Sequence, residues 1–114
     1  MIVSVLSLPI RLGCESETVR FYIERDVFGL AAQVGGFRSG ELLQPSEPGA
    51  PFLVIAEWDD AEAYDRWLAA PARADLSSLL GPLLDGDPSG GTYELVVNET
   101  GPRGGADQER EETA

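Results

Sequence analysis

A chain of 114 residues suits one folded unit, because two separate cores would leave too few buried side chains for each. With 43% hydrophobic and 25% charged residues it has the composition of a globular domain, and 20 acidic against 8 basic residues give a net charge of −12 that repels phosphate backbones and anionic lipid headgroups. Nucleic-acid binding is therefore not expected, and no apolar stretch approaches the ~20 residues of a membrane-spanning helix. The single cysteine, Cys14, together with the lack of a secretory-type opening segment, leads us to expect a cytoplasmic protein.

The opening run Ile2-Val3-Ser4-Val5-Leu6-Ser7-Leu8 is apolar on both alternating faces, the pattern of a strand covered on both sides, and predicts a central strand. From Ser16 the period changes. Val19, Tyr22, Ile23 and Val27 recur at helical spacing with Glu17, Arg20 and Glu24 between them, which predicts a helix from about Ser16 to about Gly29 or a few residues beyond. Gly35-Gly36 breaks the chain ahead of a second strand, Phe37-Arg38-Ser39-Gly40-Glu41-Leu42-Leu43, and Pro45 to Pro51 forms a connection. Phe52 to Trp58 is a third strand, expected to pair antiparallel with the second.

Asp59 followed three residues later by Glu62 has the form of a capping box, and Ala63, Tyr64, Trp67 and Leu68 make the stripe of a second helix. Pro71 should break that helix, after which Ala74, Leu76, Leu79, Leu80 and Leu83 continue as another helical segment. Gly90-Gly91 leads into a last strand over Thr92 to Val97. The order β-α-β-β-α-β is the ferredoxin-like split β-α-β arrangement with an antiparallel sheet, an α+β fold. A domain over residues 1–100 is expected, followed by a disordered acidic tail over 101–114 that holds too little apolar surface to offset its ordering entropy.

Val-Ile-Ala-Glu-Trp-Asp-Asp, then Ala-Glu-Ala-Tyr-Asp-Arg-Trp-Leu and Pro-Ala-Arg-Ala-Asp-Leu, all between Phe52 and Leu80, resemble the antibiotic-biosynthesis monooxygenase family, as does Gly-Gly-Phe at the start of the second strand. The most specific feature is Glu57-Trp58 followed nine positions later by Trp67, and the resemblance extends over roughly Ile2 to Val97. It implies a dimeric α/β barrel, built by a homodimer, with a pocket in each subunit between the sheet and its helices. The chemistry it implies is diverse, from cofactor-independent oxygenases of aromatic polyketides to haem-degrading enzymes. The haem-degrading branch uses an asparagine on its first strand, a tryptophan on its second helix and a histidine about ten positions later. This chain is similar in retaining Trp67, has Ser77 where that histidine would lie and has Ser7 near the asparagine position. It contains no histidine at all, so the usual haem ligand is missing, and scattered carboxylates with one cysteine are a poor basis for a metal site. No cofactor and no metal are expected, with dioxygen as co-substrate if the chain is an oxygenase.

Candidate site residues follow from the helical stripes and from polar interruptions. Trp67 can stack on a flat substrate or simply pack its helix on the sheet, and Trp58 ends a strand where a structural role competes with a binding one. Tyr22 and Tyr64 lie on inward stripes and can orient a substrate oxygen or carry a proton. Arg25, Arg38 and Arg73 can balance a phenolate or enolate, with Arg73 favoured because the break at Pro71 can turn it toward the sheet. Ser7 and Ser77 can hydrogen-bond a substrate hydroxyl or carbonyl. These residues suggest a cofactor-independent monooxygenase or related tailoring enzyme acting on a small aromatic, polyketide-like intermediate of secondary metabolism. The alternatives are a non-oxidative polyketide cyclase or isomerase, and a non-catalytic accessory protein of a biosynthetic complex.

Overall fold

Four strands, β1 (Ile2–Leu8), β2 (Phe37–Leu43), β3 (Phe52–Trp58) and β4 (Ser89–Glu94), form one sheet in the order β2-β3-β1-β4. A computed structural model describes residues 1–101 of the chain, so all but the first residue of the expected tail lies outside the described residues. Every strand pair is antiparallel. This is the expected split β-α-β arrangement, with the apolar β1 in the interior of the sheet. Among the described residues the sheet is open: β2 and β4 are its edges, and it closes no barrel.

Four helices cover one face: α1 (Glu15–Glu24), α2 (Val27–Ala32), α3 (Ala61–Leu68) and α4 (Pro71–Leu80), the last followed by a 3₁₀ turn over Gly81–Leu83. The single long helix expected from Ser16 is thus two. Asp26 stands between them at φ 51°, a left-handed conformation that ends α1 and redirects the chain. At α3 the cap is Asp60, whose Oδ1 accepts from the Ala63 N–H at 2.9 Å. Asp59 is instead engaged by Arg38 at 2.9 Å, so the Asp59–Glu62 box is not formed and Glu62 acts only through its place in the first turn. Pro71 occupies the first turn of α4, where its missing N–H costs nothing.

The last strand lies three residues earlier than expected. Ser7 pairs with Ser89 and Ile2 with Glu94, so the register with β1 takes in Ser89 to Glu94 and leaves Val96 and Val97 outside the ladder. Gly90 fits against β1 because it has no Cβ, which would strike the Val5 carbonyl oxygen.

Strand alternation sorts the sheet into two faces. Ser4, Leu6 and Leu8 share one face with Val54, Ala56 and Trp58, against the helices; Val3, Val5 and Ser7 share the other with Leu53, Ile55, Glu57 and Tyr93. Between sheet and helices the core divides into a cluster around Trp58, Ala63, Trp67 and Leu76 and another around Leu8, Phe52, Leu80 and Leu83. Each fully buried large side chain contributes about 1.5–3 kcal/mol, and Trp58 at 1% exposure is the largest of them.

Candidate active site

The two core clusters do not meet everywhere. A cavity of about 130 Å³ remains between them, floored by the sheet and roofed by all four helices. The floor carries Ser4, Leu6 and Leu8 from β1, Val54, Ala56 and Trp58 from β3, and Phe37 from β2. Tyr22 reaches it from α1, Phe28 from α2, Tyr64 and Trp67 from α3, and Arg73, Leu76 and Ser77 from α4.

A chain of aromatic contacts borders this space. Tyr22 meets Phe28 with ring centroids 5.8 Å apart, Phe28 stacks on Phe37 at 6.2 Å, Phe37 meets Trp58 edge-on at 5.3 Å and Trp58 meets Tyr64 at 5.5 Å. Rings at these separations and tilts hold one another in place beyond their burial. Gly40 on β2 allows the contact: a Cβ there would overlap the Phe28 ring.

The polar groups of the site differ in how they are satisfied. Trp58 Nε1 donates to Ser4 Oγ at 3.0 Å, a buried pair within the floor. The Trp67 indole N–H has no protein acceptor among the described residues, although Trp67 is only 9% exposed. Nor, among those residues, does the Arg73 guanidinium make a hydrogen bond or an ion pair. Burial pushes the Tyr22 phenol up to about 12 from its ordinary 10.0, while the positive charge of Arg73 pulls the other way. At neutral pH Tyr22 is therefore a protonated hydrogen-bond donor held in the field of a cation. Such a site can take an anionic oxygen among aromatic walls.

Six of the side chains singled out in the sequence, Tyr22, Trp58, Tyr64, Trp67, Arg73 and Ser77, share this cavity, Ser77 from an exposed position on α4. Ser7 and Arg25 do not line it. Ser7 has the parity of Val3 and Val5 and points to the opposite face of the sheet, while Arg25 is exposed at the end of α1 in an outer groove with Glu17, Arg20 and Leu79. Arg38 is spent on Asp59 at the surface. Ser4, Phe28 and Phe37 were not picked out. For Ser4 the signal was the charge of Glu57, which marks one face of β3: Ser7 pairs with Leu53 on that face and Ser4 with Ala56 on the other. Among the described residues no three His, Cys, Asp or Glu side chains gather as a metal site, and no helix is long and apolar enough to cross a membrane.

The antibiotic biosynthesis monooxygenase family matches residues 1–77, from β1 into α4. SnoaB, a cofactor-independent oxygenase from Streptomyces nogalater, is a similar solved structure, with a TM-score of 0.69 and 22% identity over 90% of this chain and 97% of that one. The haem-degrader MhuD from Mycobacterium tuberculosis, solved with two haems in its active site, is similar to the same degree in sequence, at 22% identity and a TM-score of 0.72 over 88% of this chain and 100% of that one. At such identities the likeness concerns the fold alone. No curated protein matches the chain. Since the family match takes in the first three strands and Trp58 and Trp67, on either side of the cavity, the chain belongs to the antibiotic biosynthesis monooxygenase family.

Proposed function

We propose that the cavity binds a flat phenol as its anion and that the protein is a cofactor-independent monooxygenase of a small aromatic, polyketide-like compound. The observation that carries this reading is Arg73, a cation without a protein counter-ion among the described residues, lining an aromatic cavity beside a protonated Tyr22. Arg73 stabilises the phenolate, Tyr22 donates to an oxygen of the substrate, and Trp67 stacks on the ring and keeps water from the reacting carbon. The electron-rich ring then reduces dioxygen directly. One oxygen atom replaces a ring hydrogen and becomes a quinone carbonyl, and the other leaves as water with the ring hydrogen and the phenolic hydrogen.

Haem does not fit these residues. The chain has no histidine, and burial opposes ionisation of Tyr22, one of the two phenols that could otherwise ligate iron. The cavity size adds a constraint. A void of about 150 Å³ admits one benzene, so about 130 Å³ encloses a single ring and a polycyclic substrate must enter edge first with its reactive ring deepest. Homodimer formation belongs to the same proposal, because the face without helices presents Val3, Val5, Leu43, Leu53, Ile55 and a 61% exposed Tyr93.

The test is oxygen uptake by the purified protein with a panel of mono- to tricyclic phenols, with products identified by mass spectrometry. We expect turnover to need dioxygen and to fall about 10- to 100-fold in Arg73→Leu, the loss of one charge-assisted contact. Product formed without oxygen would replace this reading with a cyclase or isomerase, and binding without turnover would replace it with an accessory role.

A further inference from the structure

Ser4 is buried on the floor of the cavity with 7% exposure, and its hydroxyl is half used. Its oxygen accepts from Trp58 Nε1 at 3.0 Å, and Trp58 is itself fixed, 1% exposed and wedged between Phe37 and Tyr64. A serine hydroxyl carries one proton as well as two lone pairs. Among the described residues nothing accepts that proton. The indole N–H occupies one side of the oxygen, so the O–H must turn away from it. Strand parity directs the side chain of Ser4 toward the helices, where the cavity lies. Ser77, the other serine on the wall, is exposed and can be satisfied by water.

We infer that Ser4 is a specificity residue of this site: its hydroxyl, aimed by Trp58, donates to an acceptor oxygen on the ligand edge that rests on the sheet. A buried donor left without an acceptor penalises every ligand that brings only carbon to that point, so the site prefers a ring carrying a carbonyl or ether oxygen there over an isosteric hydrocarbon. With Arg73 on the helical roof taking the anionic oxygen, the preferred substrate class is an aromatic ring with two oxygen substituents, one acidic and one a pure acceptor. This deepens the proposed function and rests on its reading of the cavity as a ligand site.

The test uses acetophenone and cumene, which share size and shape but exchange a carbonyl oxygen for a methyl group, with binding read by tryptophan fluorescence or calorimetry. Wild type should bind acetophenone about fivefold more tightly. Ser4→Ala should abolish that preference chiefly by tightening cumene binding about fivefold, because the donor that cumene leaves without an acceptor is gone. Because Ser4→Ala also orphans the Trp58 N–H, it should lower stability, and the double variant Ser4→Ala/Trp58→Phe separates the two effects. Removing both partners should restore part of the melting temperature while the preference stays lost, and Trp58→Phe alone should keep a reduced preference. A preference that survives Ser4→Ala, or returns in the double variant together with stability, overturns the inference. Equal binding of both probes by wild type overturns it and spares the ligand-site reading; binding of neither probe sinks both.

Discussion

Titration of Tyr22 offers a quantitative check on the polar half of the site. The folded phenol ionises at about 12 and the unfolded one at 10.0. Between those values the unfolded chain releases a proton that the folded chain retains, so stability is whole below about pH 10 and is lost as pH rises through the folded value. The upward shift amounts to about 3 kcal/mol once both states are ionised, and roughly half of that is lost at about pH 11. All eight basic side chains are arginines, so no lysine ionises in this window, and the comparison with Tyr22→Phe isolates the contribution of this one phenol. Denaturant melts at about pH 8 and about pH 11 should show the loss in wild type and not in Tyr22→Phe. Ultraviolet titration should show a phenol ionising at about 12 that is absent in Tyr22→Phe. Arg73→Leu should raise it further, by removing the charge that favours the phenolate. An equal alkaline loss in Tyr22→Phe, or a Tyr22 phenol ionising at its ordinary 10.0, would refute the buried donor.

Trp67→Phe should preserve the fold and weaken binding of a flat aromatic ligand by roughly 0.5–1.5 kcal/mol, whereas Trp67→Ala should also cost about 3–5 kcal/mol of stability by opening a hole between α3 and the sheet; unchanged affinity in both would remove Trp67 from the ligand wall. Gly40→Ala should cost about 1–3 kcal/mol, because the added methyl displaces the Phe28 ring, and should reduce ligand affinity as that ring moves; thermal melting and a ligand titration check both. Sedimentation velocity at micromolar concentration should give a dimeric mass, and a monomer would show that the apolar sheet face tolerates water.

Apolar periodicity was enough to locate the first three strands, the break at Gly35-Gly36 and the interruption at Pro71, because each depends on a local preference of the backbone. Inward stripes likewise marked Tyr22, Tyr64 and Trp67 without knowledge of their neighbours. Other features had no local signal. Asp26 adopts a left-handed conformation that composition does not announce, and only packing of α1 and α2 over the sheet divides the expected helix there. The place of β4 depends on its register with β1, a matter of pairing between segments more than eighty residues apart. The choice between Ser4 and Ser7 was equally non-local: both interrupt one apolar strand, and the pattern of β1 reads the same from either face. Helices cover only one of those faces, and that coverage alone made Ser4 the partner of Trp58 and turned Ser7 away.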